Sequence, residues 1–318
     1  MSLTDPQRTG SAETAAIDLE GATKRYGDIV ALETVSLTIP RGEIFGFLGP
    51  NGAGKTTLIH LLLGFARPTG GELRVLGDDV QEAPQQIRER TGILPERAAV
   101  YDRLTGREHV SFAIKSNGAD DEPQSILERV GIADAADRNA SEYSKGMKQR
   151  LLLGMALVGS PDLLVLDEPS TGLDPQGARD LREIVRAEAA RGATVFFSSH
   201  SLDQVEAVCD RVGILANGNL IAVDSIDGLR NTAKSKTTLT VDVDRLPDGT
   251  ISSIEAIPGV ADASGNHTNV TVSCEDEAKP DVLAELEAAG ASVNTFDTDE
   301  PSLEELFVAH TSSSDGER

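Results

Sequence analysis

The chain has 318 residues, enough for one large α/β domain and a smaller one, each with its own core. A net charge of −23 disfavours nucleic acid binding by a basic surface, and no apolar stretch reaches the ~20 residues needed to span a bilayer. Only 8 of the 29 basic residues are lysine; this acidic balance points to a halophilic protein working where a Debye length of ~3 Å at 1 M salt screens self-repulsion.

The opening MSLTDPQRTGSAETAA lacks a basic region followed by an apolar one, so residues 1–15 read as a disordered polar lead-in and no secretory signal is visible. Cys209 and Cys274 lie far apart without metal-ligand spacing, which predicts free buried thiols and a reducing interior. Ala16 to Ala22 and Val35 to Ile39 read as strands around a turn carrying Lys24 to Asp28. Tyr26 in that turn either stacks on a bound base or packs on the sheet edge, and the residues weigh the two equally.

Glu43 to Leu63, EIFGFLGPNGAGKTTLIHLLL, organises the rest. Ile44 to Leu48 suits a buried strand, the chain then breaks at Gly49-Pro50-Asn51-Gly52-Ala53-Gly54-Lys55-Thr56, and an apolar-periodic helix follows from Thr57, itself a candidate nucleotide contact, to Leu63. Strand, G-x-x-x-x-G-K-[ST], helix is a phosphate-binding loop in its required context. Glycines turn backbone N–H groups into a concave nest, and the helix N-terminus reinforces it. Lys55 places a charge on the β- and γ-phosphates and Thr56 is positioned to ligate Mg²⁺.

Glu72 to Leu76 predicts a strand after a Pro68-Thr69-Gly70-Gly71 turn, and Gly92 to Glu96 a strand entering a loop. From Thr105 to about Gly159 the periodicity is helical, with an apolar helix over Leu151 to Val158. Ser144 and Gly146, just ahead of it, either cap a helix or hold a phosphate at its positive end. Leu163 to Glu168 is an apolar run ending in two carboxylates, the form of a buried parallel strand. At its carboxyl end Asp167 would hold Mg²⁺ and Glu168 would face the γ-phosphate. A helix over Gln176 to Arg191 leads to the apolar strand Thr194 to His200. There the histidine is either a satisfied polar terminus or a donor to phosphate.

Val212 to Leu215 and Leu220 to Val223 read as a hairpin closing the first domain, and the polar stretch 227–236 as a linker. Beyond it the order is strand Thr237 to Val243, helix near Ile251 to Ile257, strand near Ala261, strand Asn269 to Ser273, helix Pro280 to Ala289 and strand Ser292 to Asp297. That is a split βαβ, ferredoxin-like module. Residues 231–318 carry 18 acidic and 5 basic side chains and no nucleophile or metal constellation, which suits a regulatory or docking role. Pro301 to Phe307 starts a final helix.

Taken in order, these landmarks over residues 16–230 resemble the ATP-binding subunit of ABC transporters. GPNGAGKT is similar to the Walker A of that family, LLVLDE to its Walker B, Thr171-Gly172-Leu173-Asp174 to its D-loop and His200 to its switch histidine. Tyr26 matches its adenine-stacking aromatic, and Tyr143-Ser144-Lys145-Gly146-Met147-Lys148-Gln149 its signature. The signature departs from Leu-Ser-Gly-Gly-Gln at Tyr143, Lys145 and Met147, and Glu96 stands where the family usually has a Mg²⁺-touching glutamine. With the C-terminal PSLEELFVAHT, these variants resemble the branch that pairs with a separate exporter permease for drugs, antibiotics, sodium or other cargo.

The resemblance implies a P-loop NTPase fold, a RecA-like α/β core with antiparallel β and helical subdomains, plus the small α+β ferredoxin-like domain over 231–318. It further implies ATP and Mg²⁺ as ligands, with Thr56, Glu96 and Asp167 at the metal. Head-to-tail homodimers would clasp ATP between the phosphate loop of one copy and Ser144 and Gly146 of the other. Glu168 would polarise the attacking water, His200 would hold it in line, and Asp174 would link the two sites. An integral membrane permease would hold the protein at the cytoplasmic face of the membrane. A soluble ABC ATPase acting on ribosomes or DNA usually has two cassettes or a coiled coil, and the chain has neither; the guanine-reading Asn-Lys-x-Asp of GTPases is also absent.

Overall fold

Alternating side chains build the first sheet. In β2 (Ile29–Pro40), Val35, Leu37 and Ile39 are buried between exposed neighbours, and in β1 (Ala15–Tyr26) Ile17 and Leu19 are buried on either side of the part-exposed Asp18. The strands pair antiparallel from Ala15↔Pro40 to Tyr26↔Ile29. The turn is therefore only Gly27-Asp28, and Lys24 to Tyr26, expected in the turn, lie in the strand. Irregular register along β1 absorbs these polar residues. With β4 (Gly70–Val75) and β5 (Asp78–Asp79) the sheet runs β2-β1-β4-β5. The computed structural model describes residues 15–229, 237–247 and 249–299. They form two compact units, divided between Asp224 and Ser225, just ahead of the polar stretch read as a linker.

The second sheet is built on apolar central runs, β3 (Ile44–Leu48), β6 (Thr91–Leu94), β7 (Leu163–Asp167), β8 (Thr194–Ser199) and β9 (Arg211–Ala216), with the more polar β10 (Asn219–Ser225) at one edge. Their order is β10-β9-β3-β8-β7-β6, and every pair from β9 to β6 is parallel. Each residue of β3, β7 and β8 is buried, as strands covered on both faces require. Phe47 and Phe196 meet at 5.2 Å between ring centroids in the core. Because β3, β8 and β7 are adjacent, their carboxyl ends lie side by side at one edge.

Helices α1 (Lys55–Leu62), α2 (Pro84–Glu89), α3 (Gly106–Asn117), α4 (Pro123–Arg129), α5 (Lys145–Ala156), α6 (Pro175–Ala190) and α7 (Leu202–Glu206) complete the unit. The periodic stretch after Thr105 divides into α3, α4 and α5: a Thr105–Glu108 capping box starts α3, left-handed Gly118 ends it, and Pro123 starts α4. Helix α5 begins at Lys145, well ahead of the expected Leu151. Ser144 Oγ accepts the Met147 N–H at 3.2 Å, and this cap draws the polar segment into the helix where periodicity gave no signal.

The second unit contains β11 (Thr237–Val243), α8 (Thr250–Glu255), β12 (Val260–Gly265), β13 (Asn269–Cys274), α9 (Lys279–Ala288) and β14 (Val293–Asp299). The sheet order is β12-β13-β11-β14 with every neighbour antiparallel, the split βαβ arrangement. Leu239, Val241, Val270, Val272, Ile254, Val282 and Leu286 form its core. Cys209 and Cys274 are free and buried in their respective units. The helix expected over Pro301 to Phe307 lies outside the described residues.

Candidate functional site: two separate concavities

The loop between β3 and α1 carries the first cluster. A Cβ on Gly49 would sit 2.5 Å from the Leu215 carbonyl, and one on Gly54 2.5 Å from the Ala31 carbonyl. Gly54 also has φ +112, so only glycine lets the loop pack this closely on β2 and β9. No side chain caps the N-terminus of α1, so its first-turn amides, Lys55 to Thr57, are available to an anion. Lys55 is buried, and its Nζ donates to the carbonyls of Gly49 at 2.6 Å and Pro50 at 3.3 Å.

At the carboxyl end of β7, Asp167 Oδ1 accepts the Ser198 hydroxyl at 2.9 Å, in register across β7 and β8. Burial raises the Asp167 carboxyl above its ordinary range. Glu168 and Glu96 add to the rise, while the Ser198 hydrogen bond and Lys55 oppose it. Glu168 follows with φ +50, a left-handed conformation costing a side-chain-bearing residue about 1–3 kcal/mol. Its N–H donates to the Ser198 carbonyl at 3.0 Å, and its carbonyl accepts from Thr171 N–H at 3.2 Å, which holds the kink. The carboxylate is turned toward Lys55 Nζ, 3.6 Å from Oε1. Oε2 contacts His200 Nδ1 at 2.8 Å and accepts the Thr171 hydroxyl at 3.4 Å. Oε1 is buried with no hydrogen-bond partner. Buried polar atoms rarely go unpaired, and this one faces the cleft beside a cation.

Together these residues line one cleft of about 640 Å³, formed by Pro50, Asn51, Gly52, Gly54, Lys55, Thr56, Thr57, Glu96, Asp167, Glu168 and His200 with Ile29 to Ala31, Arg97 and Thr171. Gly49 and Ala53 stand behind the loop as its packing surface, Ala53 buried and Gly49 against Leu215. Tyr26 is half-exposed at the end of β1, with Lys24 Nζ 4.6 Å from its ring centroid, and is not among the residues lining the cleft.

Ser144, Gly146 and Asp174 lie elsewhere. They line a second concavity of about 310 Å³ with Lys145, Arg150, Gly172 and Asp180. Ser144 caps α5, and Asp174 caps α6 by accepting the Gly177 N–H at 2.7 Å. Gln149 Nε2 donates to the Pro169 carbonyl at 2.7 Å, tying α5 to the loop after β7. Ser144 Oγ uses a lone pair on the helix amide, so its hydrogen is still available to a ligand.

Ser198, Arg97 and Ile29 to Ala31 were not foreseen from sequence, and Thr171, quoted there only within the D-loop, turns out to hold Glu168. Only Ser198 had a signal, a pair of hydroxyls inside the apolar run Thr194 to His200. Ser199 and Ser170 both donate to Gln204 Oε1, at 3.0 and 2.6 Å, which ties the end of β8 to the loop after β7.

A nest-forming loop on a parallel sheet, with a lysine, two strand-end carboxylates and a histidine, defines a P-loop ATPase. Residues 32–171 match the ABC transporter family and residues 225–311 the C-terminal domain of DrrA1-3-like ATP-binding proteins. The chain is similar to the daunorubicin/doxorubicin resistance ATP-binding protein DrrA of Streptomyces peucetius, 33% identical over 94% of this chain and 93% of that one. It is also similar to a fluoroquinolones export ATP-binding protein of Mycobacterium tuberculosis, 36% identical over 86% of this chain and 93% of that one. Among solved structures, an ATP-binding subunit of an ABC transporter matches with TM-score 0.61 and 30% identity, over 68% of this chain and 92% of that one. The chain belongs to the ATP-hydrolysing, ATP-binding subunits of ABC transporters, in the drug- and antibiotic-export branch with a DrrA-like C-terminal domain. Membership implies use of ATP with Mg²⁺ and pairing with a membrane permease. Among the described residues no helix is long and apolar enough to cross a membrane.

Proposed function

We propose that two copies of this chain close head to tail on two ATP molecules and pass the energy of hydrolysis to a separate integral membrane permease that exports its cargo. The single observation that carries this reading is the division of the site. The residues that would hold phosphate line one cleft, whereas Ser144, Gly146 and Asp174 line another. One copy alone lacks the second set of donors at its own cleft; an antiparallel mate brings them.

The residues of the first cleft fit a nucleoside triphosphate. Lys55 exchanges two loop carbonyls for phosphate oxygens, and the uncapped end of α1 meets the anion. Among the described residues no group of three or more His, Cys, Asp or Glu side chains gathers to hold a metal alone, so Thr56, Asp167 and Glu96 would share a cation with phosphate. Bound there, Mg²⁺ would neutralise charge on the phosphate oxygens. Glu168 takes the proton of the attacking water through Oε1, which faces Lys55 but has no hydrogen-bond partner, a general-base role worth about 10²–10⁴-fold. His200 donates from Nδ1 to Oε2 and keeps that carboxylate oriented. Asp174 bridges the two sites from the N-cap of α6, and Tyr26 stacks on the base. The acidic module over residues 231–318 serves docking or regulation, and the assembly works at the cytoplasmic face of the membrane.

The test uses the full chain with Glu168→Gln. With Mg-ATP it should form a stable dimer by light scattering while hydrolysis is nearly abolished, and Lys55→Ala should lose nucleotide binding. A Glu168→Gln chain that stays single at saturating Mg-ATP, in dilute and in molar KCl, would refute the proposal.

A further inference from the structure

We infer that Lys145 is a further binding residue of the composite site, supplying a cation from the second concavity to the phosphates held by the partner copy. This rests on the head-to-tail reading above and deepens it. Lys145 is the first residue of α5, between Ser144 and Gly146, and lines the same concavity as Asp174. Its ammonium lies against Gly172, occupying the space a Cβ there would need, and Gly172 has φ +70. The side chain is thus laid over the loop that leads to Asp174.

Lys145 is exposed, so its ammonium is solvated and stays free to meet an anion at this surface. A lysine in the first turn of a helix faces the positive end of the macrodipole, and α5 has no acidic residue in that turn to offset it. The carboxylates beside it are engaged elsewhere. Asp174 Oδ1 accepts the Gly177 N–H at 2.7 Å, and Asp180 faces Arg150 at 3.5 Å while accepting from Gln176 at 2.7 Å. Among the described residues Lys145 has neither a carboxylate nor a hydrogen-bond partner, whereas Lys148, one turn on, pairs with Asp102 at 2.9 Å. Within this concavity Arg150 faces Asp180, and Lys145 is the cation left without a close carboxylate among the described residues, beside the Ser144 hydroxyl. The polyanionic phosphates of ATP on the opposing copy are the anions this free ammonium would meet when the two copies close.

The experiment compares Lys145, Lys145→Gln and Lys145→Arg in the full chain carrying Glu168→Gln. The reading is the Mg-ATP concentration that gives half-maximal dimer by analytical ultracentrifugation, at several KCl concentrations. Lys145→Gln should need about tenfold more Mg-ATP and show a weaker salt dependence, and Lys145→Arg should restore most of the difference. ADP affinity of the dilute single chain reports the first cleft and serves as the folding control. An unchanged Mg-ATP requirement in Lys145→Gln overturns the inference and leaves the dimer standing. Loss of ADP affinity in the same variant also overturns it, by giving Lys145 a structural role. Failure to dimerise with Lys145 intact overturns both readings.

Discussion

Removing the Glu188 carboxylate tests how the helical segment is held. Glu188 on α6 and Arg129 at the end of α4 form a two-point ion pair, with Nη2–Oε2 at 2.6 Å and Nε–Oε1 at 3.3 Å. Their side chains are 7% and 14% exposed, so neither is well solvated. Arg191 approaches Oε1 at 3.6 Å but is half-exposed, and it contributes little. Glu188→Ala strands the Arg129 charge, and breaking a buried pair from one side costs about 3–5 kcal/mol. The remaining exposure of Arg129 lets water offset part of this, so the expected loss is near the lower end, about 3 kcal/mol. For a unit of this size that lowers the melting temperature by about 6–12 °C. Calorimetry on the full chain should show the shift in one transition, that of the first unit. Arg129→Met with Glu188→Leu should recover most of it, because the double change removes both charges and keeps the volume. A Glu188→Ala chain within about 1 kcal/mol of wild type, or a double variant as unstable as the single, would refute the reasoning.

Three more outcomes follow from the same geometry. Burial, with Glu168 and Glu96 nearby, raises the Asp167 carboxyl above 3.8, so the folded chain binds that proton more tightly than the unfolded chain. The group's contribution to stability is therefore lost as pH rises through the window from 3.8 to the raised value; without nucleotide or metal, Asp167→Asn should be the more stable chain at pH 7, and its advantage should vanish in acid, as urea midpoints would report. Gly49→Ala drives a methyl onto the Leu215 carbonyl and should cost about 1–3 kcal/mol together with a displaced loop, read as weaker ATP binding by calorimetric titration. Finally, a chain of net charge −23 should gain thermal stability between 0.1 and 2 M KCl; stability that is highest in dilute buffer would contradict the high-salt reading.

The local chemistry of this protein was written in short stretches. An apolar run, a glycine-lysine loop and a periodic helix state their structure without help from distant residues, and Ile44–Leu48 is a strand buried at every position. The same holds for Thr237–Val243, whose alternation appears as alternate burial. Asp167 and Glu168 were legible because a carboxylate at the end of a buried strand has few other reasons to be there. What the sequence left open depended on strand order. Ser198 serves Asp167 only because β8 lies beside β7, and Arg129 meets Glu188 only because α4 and α6 pack together. The left-handed turn at Glu168, which aims its carboxylate at Lys55 and His200, has no glycine to announce it. The separation of Ser144 and Asp174 from Lys55 was expected only from the family resemblance; the folded chain shows it directly, as two concavities with no lining residue in common. Periodicity and backbone chemistry act within a few residues, whereas the neighbours a side chain finally meets are chosen by the packing of whole elements.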